Sequence, residues 1–517
     1  MASEKGVVKV PPVWNKFLKN RYAGNIRCLR IGLILCLLAE ICLSFKTVRL
    51  LSLQNEFKET FDQGLPLFYK IFFSPSNERE FNILLGSYVF LLIGYLFSHT
   101  KILALIVWMF TLSFHQKFNS VIDGGSSLMD IWAFLLIFME PRKDSGFKAE
   151  VRNLISNIAV QVARFQLCLV YFMAAIGKII SPLWIKGSAL YYILNKPAFS
   201  HPMFDLLIKH PSILVVFSYF TIAFQLGFPF LIWRRSLRPY LLFIGTTLHL
   251  SIAFGMGLVT FGMIMFVSYT LFSDLYPHTM LASRAKSFIY NFWSKLLCRK
   301  RKSFYVKLKN GGLWAVFSVS LSMAIWHCSA ISLLVAPENR WTVLYDGIVA
   351  KYSLPFFPQV WLVFGPQVQK QFTTIQYRCS AEDPWKDPLV ALQKKYQINR
   401  ISSAGYLGRV LEGLVIAVSN EQHAREIACV QNKKIKNCLD SVREKIAKSN
   451  SFLRLNSALS NFCENNKKIP KLEGIHLRLV ETLPPPPGSI SQGVMNIASQ
   501  KARQLPLIAL KGTHHEF

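Results

Sequence analysis

"YFMAAIGKIISPLW", residues 171–184, is the stretch on which the reading of the chain turns. A long apolar run carries a lysine close to its end, breaks at Ser181-Pro182 and closes on a tryptophan. Whether the run spans a membrane is decided by composition. Of 517 residues, 52% are hydrophobic and 17% are charged, with a mean hydropathy of +0.31, whereas soluble globular chains carry about 25% charged residues. Apolar runs recur over the first two-thirds of the chain. The fold class read from this is a polytopic α-helical membrane protein. Lys178 then either snorkels to the surface or does chemistry.

The net charge of +31 does not point to nucleic acid, because the basic residues are not gathered into one patch interleaved with aromatics. They lie between apolar runs, as in "WRRSLR" (233–238) and "RAKSFIYNFWSKLLCRKRKSFYVKLK" (284–309), where cytoplasmic loops collect Lys and Arg. Their natural partner is the lipid bilayer. No cleavable signal peptide is seen, and the ten cysteines show no CxxC spacing.

A span needs about 20 apolar residues, which places nine, at 28–45, 81–97, 101–116, 127–140, 154–178, 212–233, 239–256, 258–275 and 314–336. With the basic N-terminus 1–27 in the cytoplasm, the loops 98–101, 141–153, 234–238 and 276–313 fall on the positive-inside side. An odd number of spans leaves residues 337–517 outside. Segment 46–80 reads as an interfacial helix, and 179–211, broken by four prolines, as short helices capping the outer side. Residues 28–336 thus form the transmembrane bundle and 337–480 an extracytoplasmic α+β domain. "WTVLYDGIVA" and "QFTTIQYRC" are strand-like there, residues 420–465 read as helical, and 481–517 is a Pro-rich, loosely ordered tail. Cys379, Cys429, Cys438 and Cys463 can form two disulfides in an oxidising compartment, in any of three pairings, or remain four free thiols.

In the fifth span Asn157, Gln161, Arg164, Cys168, Tyr171, Ala175 and Lys178 recur at alternating spacings of 4 and 3 and share one helix face. An arginine mid-span costs about 2.5–3.5 kcal/mol when exposed to lipid, so the face turns inward. At the outer end of this stripe a lysine partly withdrawn from water can act as a general base. The plainer reading keeps it as a snorkelling lysine beside the belt residue Trp184. His249, late in the seventh span, and His115, Asn119 and Asp123 before a Gly-Gly turn fall near the same outer level. Each alone is more often structural. Gln225 reads as interhelical glue. No phosphate loop, HExxH, GxSxG or metal cluster is present, so no metal is expected.

The segment "YFMAAIGKIISPLWIKGSALYY" (171–192) resembles the signature of the vitamin K-dependent gamma-glutamyl carboxylases and of their bacterial relatives, the horizontally transferred transmembrane domain (HTTM) proteins. The resemblance rests on Tyr171-Phe172, Ala174-Ala175, Lys178 and the W-x-x-G of Trp184 to Gly187. "NSVIDGGSSLMDIWAFLL" before it, and "LHLSIAFGMGLVTFGMIMF" and "FFPQVWLVFGP" after it, stand in the family's order. It implies a bacterial inner (plasma) membrane location and a reduced, vitamin K-type quinone as cofactor. In the carboxylases the lysine matching Lys178 deprotonates that quinone, which reacts with oxygen to give a base able to remove a gamma-proton from a peptide glutamate before carbon dioxide adds. It also implies an apolar quinone slot open to lipid. On this reading Lys178, His249, Tyr171 and Arg164 are the catalytic candidates, and Trp184 and Gly187 the cofactor-binding ones. The chain carries Gly124-Gly125 where the carboxylases have an Asn-His pair, so the resemblance implies the family rather than gamma-carboxylation itself.

The function expected is a quinone-linked modification or maturation of a secreted peptide or protein. The alternative is a non-catalytic membrane anchor or export partner that works through the outer domain. A transporter is disfavoured by the expected absence of an intramembrane carboxylate for proton coupling and of an inverted repeat.

Overall fold

A computed structural model describes residues 18, 21–53, 75, 77–118, 124–140, 147–196, 199, 201–273, 303–336, 339–353, 372–379, 382–389, 392, 395, 404–431, 442, 445–446, 448–464, 476–483 and 499–504. Among them the chain is mostly helical. In order come α1 (Ala23–Leu53), α2 (Glu78–Phe97), α3 (Lys101–Lys117), α4 (Gly124–Leu136) and α5 (Phe147–Ile179). The short helices α6 (Pro182–Ile185), α7 (Ala189–Asn195) and α8 (Asp205–Lys209) precede α9 (Pro211–Leu231), α10 (Arg238–Leu250), α11 (Val259–Ser268), α12 (Ser303–Val335) and α13 (Arg340–Ser353).

Each apolar run coincides with helical structure. Among the described residues five helices are long and apolar enough to cross a membrane: α1 over Ala23–Arg49, α2, α5, α9 and α12 over Gly312–Val335. The other runs give shorter helices, and α10 continues into a π-helical turn at Ser251–Gly255. A membrane environment explains the two-faced pattern of α2. Phe81, Leu85, Tyr88, Leu92 and Tyr95 are buried at spacings of 4 and 3, while Phe90 and Phe97 point outward at 75% and 82% exposure. Apolar residues on both faces suit a helix packed on one side and lipid-bathed on the other.

The polar face of α5 turns inward, as its spacing predicts. Asn157, Cys168, Tyr171, Ala175 and Lys178 are buried, and Phe165 and Ile180 are exposed on the opposite side. The helix packs against α9 and α12, while α1 packs against α2, α4 and α11. Segment 179–211 holds the short helices α6 to α8. Segment 46–80 departs from expectation: residues 46–53 continue α1 as helix, and 54–74 and 76 lie outside the described residues.

Beyond α13 lie β1 (Phe372–Arg378), α14 (Ala404–Gln431), α15 (Asn450–Glu464), β2 (His476–Leu483) and β3 (Ser499–Gln504). The three strands form an antiparallel sheet in the order β1-β2-β3, with Ile375 opposite Leu479 and Val480 opposite Ala502. "QFTTIQYRC" is therefore a strand, and the segment expected to be loosely held supplies the third one through this ladder. "WTVLYDGIVA" is not a strand. It lies in α13, whose start is capped by Asn339 Oδ1 accepting from the amides of Trp341 (2.9 Å) and Thr342 (3.3 Å), and such a cap overrides β-branched content. Cys379 is disulfide-bonded, while Cys28, Cys36, Cys42, Cys168 and Cys328 in the bundle are free. The side chains of Cys429, Cys438 and Cys463 lie outside the described residues.

Helix α14 docks on the end of the bundle that carries Lys178. Thr260 Oγ1 and Tyr406 Oη are 3.1 Å apart in a buried hydrogen bond, and Lys196 pairs with Glu412 at 2.5 Å.

Candidate functional site

At that end helices α5 to α11 line a cavity of about 470 Å³. Its walls are almost wholly apolar. Among the lining residues Phe217, Phe220 and Phe243 are also exposed, at 46%, 48% and 73%. The cavity is therefore open sideways between α9 and α10, on a surface that faces lipid in a membrane-spanning bundle.

Lys178 reaches the cavity from the last turn of α5. It is 4% exposed, its Nζ stands 5.0 Å from the centre of the Trp184 ring, and its hydrogen bond to Ala174 O is long at 3.4 Å. Among the described residues no carboxylate pairs with it. The amine nitrogen is thus held at the cavity wall without the carboxylate that a structural buried lysine usually pairs with.

The W-x-x-G signature has a clear local cause. Gly187 N donates to Trp184 O and Ser188 N donates to Leu183 O, both at 3.0 Å, the double bond that ends a helix through a left-handed residue. Gly187 supplies that residue at φ 71°, and a Cβ there would lie 2.7 Å from Val215 Cγ1. Helix α6 thus stops where Trp184 is buried under Lys178, and the peptide chain turns tightly against α9. Gly187 does not line the cavity, so its role is to place Trp184. Gly187→Ala is expected to lower stability by about 1–2 kcal/mol from the left-handed backbone alone, read as a lower midpoint of thermal unfolding in detergent. Val215→Ala in the same chain restores only the part due to the clash, and an unchanged midpoint for Gly187→Ala would refute this account.

Tyr171 lies two turns inward from Lys178 on α5. Among the described residues it makes no hydrogen bond to the lysine. Its hydroxyl is bonded to His249 Nε2 at 2.8 Å and to the hydroxyl of Tyr269, and its ring stacks on Phe228 at 4.1 Å. His249 lines the cavity and is 3% exposed, and its Nδ1 has no partner among the described residues. Lys178, Trp184, Tyr171 and His249 are therefore brought together.

Arg164 is not. Its Nε donates to Leu271 O at 2.8 Å, its Nη1 to Tyr22 Oη at 3.3 Å, and the guanidinium lies over the Tyr22 ring at 4.6 Å. It ties α1, α5 and the end of α11 together, remote from the cavity, and gives Tyr171 no hydrogen bond. Gly124 and Gly125 begin α4 and do not line the cavity either. Asn119 and Asp123 lie outside the described residues.

His115 corrects the sequence reading most. It does not stand near the cavity. It is fully buried in the bundle, with Nε2 2.8 Å from Glu40 Oε2 and Nδ1 2.8 Å from Asp130 Oδ1. Ser126 Oγ donates to Glu40 Oε1 at 2.5 Å. Two carboxylates thus lie inside the bundle, and the expectation of none is overturned. The signal was present: Glu40 is the lone acid in "LILCLLAEICL" and Asp130 the lone acid in "SSLMDIWAFLL", and an ionisable residue within a span is a functional candidate from the outset. Tyr269 and the cavity-lining Gln225 also escaped sequence reasoning as site residues.

Comparison with known proteins now bears on this geometry. The family model of the HTTM domain matches residues 24–275, a stretch that contains every cavity residue discussed above. The sporulation-delaying protein SdpB of Bacillus subtilis (strain 168) is 24% identical over 199 residues, 34% of this chain and 62% of SdpB. The uncharacterized protein YitO of the same strain is 25% identical over 159 residues, 28% of this chain and 52% of YitO. The alignments thus span between half and two-thirds of those relatives. No solved structure matches.

Proposed function

We propose, from the premise that residues 24–275 are an HTTM domain, that the chain is a multi-pass membrane enzyme modifying a secreted peptide or protein. Lys178 takes a proton from an apolar ring compound held in the cavity, a reduced quinone of the vitamin K type. The observation that carries this is the placement of Lys178: buried, without a carboxylate partner among the described residues, on the wall of an apolar cavity of about 470 Å³ with exposed aromatic residues at its side. The residues present fit such a ligand. The lateral opening admits a lipid-soluble ring, and the amine at the wall meets a polar atom of it.

When bound, a reduced quinone supplies electrons to oxygen. The chain's own part is narrower. Phe217, Phe220 and Phe243 admit and hold the ring, and Trp184 confines the lysine stem. The lysine amine accepts a hydroxyl proton onto Nζ, and the apolar walls keep water from the deprotonated oxygen.

The inner-membrane setting, the nine spans and an extracytoplasmic domain from residue 337 belong to the same proposal. The bonded Cys379 beside free cysteines in the bundle supports an oxidising compartment for the C-terminal part. The docking of α14 at the Lys178 end would bring a secreted substrate to the cavity.

The test is a comparison of the native strain with a strain lacking the gene, by intact-mass spectrometry of secreted peptides and proteins. A mass shift lost on deletion and restored by the gene supports the modifying enzyme. An unchanged set of masses, with the protein confirmed in the wild-type membrane, moves the anchor or export role ahead.

A further inference from the structure

Helix α13 carries two charges on an outer surface, at a depth where lipid would surround it. The helix runs back along α12: Tyr352, near its end, bonds His327 Nδ1 at 2.9 Å, and its ring meets that of Trp326 at 5.9 Å. His327 lies eight residues before the end of the apolar stretch Gly312–Val335, roughly 12 Å of helix rise inside it. The second half of α13 therefore lies at membrane depth. Only 17% of that stretch of α12 is buried, the least of the five long apolar helices among the described residues. The hairpin of α12 and α13 thus stands at the rim of the bundle.

Asp346 and Lys351 are both exposed on α13, and neither has an ion-pair partner among the described residues. Charged side chains at such depth almost always pair or face protein, so lipid alone is a poor cover for them. At about 100° per residue, Val343, Gly347 and Ala350 fall in the strip between the two charges, within about 30° of its middle. Tyr352, which holds α13 to α12, lies on the opposite side. The strip is open: Val343 is 62% exposed, Ala350 is partly exposed, and a Cβ on Gly347 would meet nothing within 4 Å. It is edged by an acid on one side and a base on the other.

Two copies inserted the same way into one membrane are related by a two-fold axis along the membrane normal. Such an axis sets the two α13 helices side by side and parallel. It carries the acidic edge of each strip onto the basic edge of the other. Asp346 then stands five residues before the Lys351 it meets, the offset at which parallel helices pair charges across a seam. An antiparallel pair would set like edges together. Small residues in the strip let the two backbones approach closely. We infer that the chain forms a homodimer through α13, with Val343, Gly347 and Ala350 in the seam and reciprocal Asp346–Lys351 pairs along its two edges. The dimer goes beyond the proposed modifying reaction and does not depend on it.

The test counts copies of the full chain, each labelled through a fused tag, by single-molecule photobleaching in liposomes over a range of protein-to-lipid ratios. The parent is expected to pass from single to paired bleaching steps as its density in the membrane rises. Asp346→Lys and Lys351→Asp are each expected to weaken association by about tenfold or more, because like charges then meet at both edges. The double variant Asp346→Lys/Lys351→Asp exchanges the edges and is expected to return within about threefold of the parent. The two single variants, mixed, are expected to pair with each other. Gly347→Leu is expected to lose the dimer while thermal unfolding of the chain is not lowered, since its Cβ meets no neighbour. A parent that stays single at every density leaves the face to lipid and overturns the inference. A dimer indifferent to both charge variants overturns it too, by placing the contact elsewhere on the chain. So does a double variant that unfolds as the parent does and stays as weakly associated as the single ones.

Discussion

A chain carrying Lys178→Met inserts and folds as the parent does, and loses the proposed modifying activity by about 10²- to 10⁴-fold, the usual contribution of a positioned acid or base. Methionine keeps the length of the apolar stem against Trp184 and removes only the amine. Two effects on stability oppose each other. The contact between Nζ and the Trp184 ring, at 5.0 Å, is worth about 0.5–2 kcal/mol when the amine is charged. Removing a polar group that is 4% exposed and only weakly hydrogen-bonded relieves a desolvation cost of similar size. The net change in stability is within about 1 kcal/mol, so activity and stability separate. Lys178→Arg restores nothing, because a guanidinium stays charged and has no lone pair to accept the proton. Substrate mass and thermal unfolding, read on the same preparations, check both halves. Substantial modification by either variant would remove Lys178 from the chemistry.

His115→Ala is expected to have the largest effect on stability, about 3–5 kcal/mol of destabilisation. His115 binds a carboxylate with each ring nitrogen, at 2.8 Å on both sides, and all three groups are almost fully buried. Without the imidazole, Glu40 and Asp130 face each other across a cavity in low-dielectric surroundings, and Ser126 alone remains as a donor to Glu40. The loss comes from the carboxylates left behind rather than from the ring itself. Joint replacement of Glu40, His115 and Asp130 by leucine, phenylalanine and leucine should therefore recover most of it. Thermal unfolding of the parent, single and triple variants in one detergent measures this, and a loss under about 1 kcal/mol for His115→Ala would mean the three groups are not coupled. Lys178 is chemically untouched by this change, so activity per folded molecule should hold.

Much of the fold was open to a reader of the sequence because apolar runs and a 3.6-residue period are local properties. The inward face of α5 followed from Asn157 to Lys178 without knowledge of any neighbour. The site was legible only where its residues share that face or a local turn, as Tyr171, Lys178, Trp184 and Gly187 do. His249 was visible as a lone histidine, but its bond to Tyr171 joins residues 78 apart, and no local pattern announces it. The same holds for Glu40, His115 and Asp130, each a single polar letter in an apolar run. Arg164 misled because sharing a stripe with Tyr171 does not mean sharing a cavity: seven residues carry it about 10 Å toward the opposite surface. Residues 341–350 misled because β-branched content speaks for a strand only when no cap begins a helix.

The Glu40–His115 pair also has a timetable. Glu40 leaves the ribosome 75 residues before His115, and at about 5–20 residues per second its partner is made roughly 4–15 s later. During that interval the nascent first helix carries a carboxyl group unmatched by its later partner. In hydrocarbon such a group costs about 2.5–3.5 kcal/mol on the insertion scale, a penalty that the apolar rest of the helix carries until the third and fourth helices arrive and His115 relieves it.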